Sequence, residues 1–168
     1  MDDLAAEAGL SKRTLYRYFR SKDEIIEAAL DKFMGEVATK IEEFVSTHHK
    51  PDEIMAHMLH NILHHVGRII NNPLVLEDLR KHYPHYWRKI DDFRMEKAQH
   101  IINAKFFMDG KNKANIRDID PRIITTAVLA SVQAVANPEF IITNGLTFED
   151  TIKQLMEFFQ YGFMKEEK

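Results

Sequence analysis

The prolines at 51, 73, 84, 121 and 138 and the turn-forming glycines Gly9 and Gly145 cut this chain into helix-length pieces. Between them, apolar residues recur at three- and four-residue spacing, and nothing alternates as a strand would. A chain punctuated in this way folds as packed helices, so the expected class is all-α. A short helix is expected over 1–8, stopped by Gly9, and a second over 12–19, capped by Ser11. Ser21 and Glu24 have the spacing of a capping box and open a long helix over 21–45. Its expected buried stripe is Ile25, Ala28, Ala29, Phe33, Val37, Ile41 and Phe44. Pro51 suits the first turn of a helix over 51–71, and Pro73 and Pro84 bracket a short helix over 74–81. A long helix comes next over 85–107, then a polar loop over 109–120. Asp120 and Pro121 start a helix over 121–137, which Pro138 ends. After the Asn144-Gly145 turn, Thr147 caps a last helix over 147–164. The expected division is a domain over 1–45 and a second over 46–168.

Charge narrows the function. The chain of 168 residues carries a formal net charge of −3, so it is no general polyanion binder. Yet Lys12, Arg13, Arg17, Arg20 and Lys22 lie together with no acid between them, flanked by Asp2, Asp3 and Glu7 before and Asp23, Glu24 and Glu27 after. Such an island in an acidic chain points to one local anionic contact. With no cysteine, disulfides, thiolate metal sites and cysteine nucleophiles are excluded, which fits a cytoplasmic protein. No apolar run approaches the ~20 residues of a membrane span, so no membrane partner is expected.

Two short helices joined through Gly9-Leu10-Ser11 fit a helix-turn-helix unit, whose second helix enters the DNA major groove. In SKRTLYRYFRSK, Lys12, Arg13 and Thr14 stand at the start of that helix, where donors meet bases or phosphates. Leu15 and Phe19, four apart, face the core. Tyr16 and Tyr18 offer hydroxyls to phosphate, and Lys22 is placed for the backbone.

MDDLAAEAGLSKRTLYRYFRSKDEII closely resembles the TetR-family signature, in which "xxIAxxAG" precedes "VSxGTLYxYFxxKxxL". The matching residues are Leu4-Ala5, Ala8-Gly9, Leu10-Ser11, Thr14-Leu15-Tyr16, Tyr18-Phe19, Lys22 and Ile25. The resemblance implies an N-terminal DNA-binding domain and a larger C-terminal effector-binding domain that dimerises through its last two long helices. By position, Lys12, Arg13, Thr14, Tyr16, Tyr18 and Lys22 inherit the DNA contacts, with Arg13 standing where glycine is common. The family has a further helix before this point. Residue 1 here falls inside the second family helix, so the reading unit is expected to be incomplete, loosened and weak on operator.

The later helices suit a ligand-binding dimer. The segment 121–137 is rich in small apolar residues, and Ile152, Leu155, Met156, Phe159 and Phe163 form a stripe over 147–164. The two faces either build a four-helix interface with a second copy or cover the chain's own core, and the resemblance favours a homodimer through 121–137 and 147–164. His57, His60 and His64 lie near one helical face, and His60 and His64 have chelating spacing. Asn61 stands where a metalloprotease needs glutamate, and no nearby acid or cysteine completes a structural zinc site, so a polar face or neutral pocket is preferred to a metal or haem site, and no cofactor is expected. Aromatic and Met residues in the central helices suit a small-molecule cavity, for which His60, His64, Trp87, Phe93 and Asn103 are the candidates. No catalytic constellation stands out, so no enzyme is expected. The functional reading is a two-state repressor, in which operator DNA and a small-molecule effector favour different states. The alternative is a ligand-binding helical dimer without DNA binding.

Overall fold

The computed structural model describes residues 1–47, 57, 73–108 and 117–163. They are helical apart from turns, with no strand among them. The chain divides into two compact units, Met1–Glu36 and Val37–Lys168. The helix expected over 51–71, with His60 and His64, lies outside the described residues save for His57, as does most of the loop over 109–120.

The first unit holds α1 (Asp2–Glu7), α2 (Lys12–Tyr18) and the start of α3 (Lys22–Ser46). Helix α1 packs on α2 and buries Ala5, while α2 buries Leu15. Leu4 and Leu10 are exposed, and Phe19 and Ile25 are half-buried. Along α3 the buried positions are Met34, Val37, Ile41 and Phe44. Ala28 and Ala29, expected inside, are exposed. A methyl group contributes too little burial to fix which face of a helix turns inward.

The second unit holds the end of α3, then α4 (Pro73–His82), α5 (Pro84–Ile102), α6 (Pro121–Val135), α7 (Pro138–Thr143) and α8 (Phe148–Phe163). Helix α5 runs on as a π-helical segment, Asn103–Met108. Helix α4 packs on α5 and α7, α5 on α6, and α6 on both α7 and α8. Ile124, Val128 and Val132 form a buried ridge on α6 at four-residue spacing, matched by Ile152, Leu155 and Phe159 on α8. Ile152, Leu155 and Phe159 of the expected α8 stripe therefore cover this chain's own core, with Met156 half-buried.

Pro138 does more than end a helix. It removes an N–H and pushes Asn137 into extended backbone (φ −124°, ψ 152°). From there the Asn137 side chain accepts the Phe140 N–H at 2.8 Å and caps α7, a helix the sequence reading did not separate. Pro138 and Ile141 of this short helix are among the most deeply buried side chains described.

Two helix C-termini in this unit are held by cations, which suit the negative end of a helix dipole. The Arg94 guanidinium on α5 donates to the carbonyl of Ala136 at the end of α6 and to Asp91 at 2.6 Å. Lys105, in the π-helical segment and 5% exposed, donates to the carbonyls of Val45 (3.1 Å) and Thr47 (2.5 Å) at the end of α3. Its ammonium also lies 4.9 Å from the Phe44 ring centroid.

Candidate nucleic-acid interface

The turn between α1 and α2 is set by Gly9, which takes φ +65°, a left-handed conformation that side chains disfavour. The Gly9 N–H donates to the Ala6 carbonyl (3.1 Å) and the Leu10 N–H to the Ala5 carbonyl (2.8 Å), the paired bonds of a Schellman stop. Two residues later Ser11 starts α2, its hydroxyl oxygen accepting the Thr14 N–H at 3.0 Å and lying 2.8 Å from the Thr14 hydroxyl. Stop and cap together fix the angle between the helices. The Ser21 hydroxyl accepts the Glu24 N–H at 3.2 Å, as the capping box requires, but the Glu24 carboxylate accepts the Arg20 N–H at 2.5 Å, one residue before the expected one.

With Leu15 buried, helical geometry puts Arg13 and Arg17 on the opposite face of α2, each two residues from Leu15 and four from each other. Both arginines are exposed, as are Lys12, Tyr16, Tyr18, Arg20 and Lys22, while Thr14 is half-buried. Arg17 was not among the contact residues inherited by position, although its spacing from Arg13 was legible. Its guanidinium lies 5.1 Å from the Tyr18 ring centroid and donates to the Tyr18 hydroxyl at 3.2 Å, so it is held beside that ring. The Lys12 ammonium lies 2.8 Å from Asp2 Oδ1 and donates to Oδ2 at 3.0 Å. This pairing holds the Asp2 carboxyl below and the Lys12 ammonium above their ordinary ranges. The resulting unit is a short buried seam with a cationic, hydroxyl-bearing outer face.

Residues 1–29 match the family model described as bacterial regulatory proteins, tetR family. A relative from Bacillus subtilis (strain 168), described as the uncharacterized HTH-type transcriptional regulator YvaF, is 28% identical over 170 residues, spanning 100% of this chain and 87% of that protein. The N-terminal unit is thus similar to the DNA-binding part of TetR-family regulators, and the chain as a whole is similar to an HTH-type transcriptional regulator. No solved structure matches this chain. Its helix-turn-helix and all-helical fold agree with the resemblance read from the sequence.

The ligand candidates are less concentrated. Trp87 and Phe93 are half-buried on α5, and Asn103 is half-buried at its end. The Lys97 ammonium sits 5.6 Å from the Phe93 ring centroid. An open cleft of about 260 Å³ lies elsewhere, with Val135, Phe140, Leu146, Leu155 and Phe158 on its walls, and includes none of these three. Among the described residues, no group of three His, Cys, Asp or Glu could hold a metal ion, and no helix is long and apolar enough to cross a membrane.

Proposed function

We propose that this chain is a TetR-family repressor that binds a palindromic operator as a homodimer and releases it when a small molecule occupies the second unit. The observation that carries the reading is the outer face of α2. Arg13 and Arg17 stand opposite buried Leu15 on a helix whose entry is fixed by the Gly9 stop and the Ser11 cap. An exposed, cationic helix face whose entry is fixed by a turn and a cap suits contact with base edges and phosphates in a major groove.

Dimerisation is supported by what α6 and α8 leave outside. Ile123, Ala127, Ala130 and Ala134 form an exposed stripe on α6 at helical spacing. On α8, Phe158 and Tyr161 are 67% and 72% exposed. Small residues beside large exposed aromatics suit a close isologous helix contact. A two-fold dimer would present paired α2 helices about one DNA turn, ~34 Å, apart, which demands a palindromic site. Effector release needs a molecule that binds the two states with different affinity. The protein would act by binding rather than catalysis, in the cytoplasm where the chromosome is.

The test is fluorescence anisotropy with duplex DNA from upstream of the protein's own gene, against a shuffled duplex. Preferential, salt-sensitive binding is expected, abolished by Arg13→Ala with Arg17→Ala and accompanied by a dimer mass in sedimentation. Equal affinity for both duplexes, or an unchanged double variant, overturns the operator reading. Phe158→Glu should yield monomers, and a dimer that persists overturns the proposed interface. A reporter fused to that promoter should rise when the gene is deleted, and fall if the protein is an activator.

A further inference from the structure

Lys12 breaks a local rule. It is the first residue of α2, at the positive end of the helix, and the first turn of α2 contains no acid. A cation there is disfavoured by the helix dipole. Local rules are broken most often at functional positions, with a compensation nearby. The compensation comes from the neighbouring helix. Asp2, first residue of α1, places its carboxylate 2.8 Å from the Lys12 ammonium, and it is itself well placed at the start of its own helix. Both side chains are open to solvent, 55% exposed for Lys12 and 71% for Asp2, so the pair can be broken without unpacking anything. Arg13, Arg17, Arg20 and Lys22 share the cationic region, yet it is Lys12 that this carboxylate holds.

We propose that Asp2 is a positioning residue for DNA binding, an intramolecular competitor that holds the Lys12 ammonium until a DNA phosphate displaces its carboxylate. The proposal rests on the DNA-reading function proposed for α2. A lysine engages phosphate as a compact point charge, and a nearby carboxylate satisfies the same charge with similar geometry. In the unbound protein the carboxylate therefore stands in for the phosphate. Its presence lowers DNA affinity and makes Lys12 release less counterion than an unpaired lysine would. Binding to unrelated DNA consists almost wholly of phosphate contacts, so the competitor weighs most heavily there.

The experiment uses a fluorescein-labelled mixed-sequence duplex, titrated at several salt concentrations with wild type, Asp2→Asn, Asp2→Glu, Lys12→Gln and the Asp2→Asn, Lys12→Gln double variant. Asp2→Asn should bind about two- to fivefold tighter, the range expected for releasing one exposed ion pair. Its slope of log affinity against log salt should steepen by up to about 0.9, one phosphate's worth. Asp2→Glu should restore wild-type behaviour, and the Asn effect should vanish in the Lys12→Gln background. By NMR, the Asp2 carboxyl should titrate lower in wild type than in Lys12→Gln. An equal gain from Asp2→Asn in both backgrounds would reduce Asp2 to a general charge effect and overturn this proposal alone. So would an Asp2 titration indifferent to Lys12. Wild type that binds no duplex at low salt would overturn the DNA-reading function and this inference with it.

Discussion

Replacing Lys105 by methionine separates the charge of that residue from its bulk. The aliphatic stem is conserved, so packing at a position only 5% exposed is nearly unchanged. What is lost is the ammonium, with its bonds to the Val45 and Thr47 carbonyls at 3.1 and 2.5 Å and its place over the Phe44 ring. Thr47 is exposed and its carbonyl recovers water, whereas Val45 is half-buried. A carbonyl buried without a partner costs about 1–3 kcal/mol, and that of half-buried Val45 falls at the low end of this range. A cation at a helix C-terminus contributes about 0.3–1 kcal/mol, and up to about 2 when partly buried. Against both stands the relief of no longer burying an ammonium, several kcal/mol before its bonds are counted. Because the ammonium is already bonded to two carbonyls and lies over an aromatic ring, much of that burial cost is met, and the balance is expected on the side of the wild type by about 1 kcal/mol, the size of one helix-end cation. Thermal unfolding should fall by about 2–4 °C at this size. The single tryptophan, Trp87 on α5, reports the second unit, so urea titration by its fluorescence measures the loss directly. Amide exchange in the last turn of α3 should also quicken. If the methionine variant is as stable as wild type or more so, ammonium burial cancels the bonds and the capping argument is wrong.

Leu15→Ala removes the buried anchor of α2 and should destabilise the first unit by about 2–3 kcal/mol, read as faster amide exchange in α1 and α2. Ser11→Ala removes the acceptor for the Thr14 N–H and should cost about 1 kcal/mol in the same measurement, with Ser11→Asp near neutral. Hydrogen bonds from Arg80 and then Lys81 hold the Glu77 carboxyl down at about 2, below its ordinary value near 4.5. Because the folded value is the lower one, this contribution is present above about pH 4.5 and fades as pH falls towards 2. Wild type should therefore melt above Glu77→Gln near pH 6, by a few degrees at most because Arg80 and Lys81 are 35% and 59% exposed, and the two curves should converge between pH 4.5 and 2.

Much of the architecture was legible because helix ends are written locally. Gly9, Ser11, Ser21, Asp120, Pro121 and Thr147 each act through backbone groups within a few residues, so their effect can be read without knowing the fold. The first unit was legible for the same reason, its turn, cap and cationic face all falling within a dozen positions. Three things were not legible. The start of α7 depends on Asn137 adopting extended backbone before Pro138, and a proline signals a break more plainly than a restart. The outward placement of Ala28 and Ala29 depends on neighbours that periodicity does not see. The pairing of Asp2 with Lys12 runs across a turn from one helix to the next, and that of Lys105 with the end of α3 spans about 60 residues, so both partners are chosen by the fold and by no helical spacing.

The π-helical turn at Asn103–Met108 makes chain length there a variable in its own right. Each hydrogen bond in such a turn spans one residue more than in an α-helix. Deleting a single residue within it would allow regular helix to close, and would rotate the downstream residues by about 100°. Hydropathy and composition would hardly change, yet the ammonium of Lys105 would no longer point at the carbonyls of Val45 and Thr47. The register of this short stretch is therefore held by a count of residues, and an alignment that slides a gap through it would hide the difference.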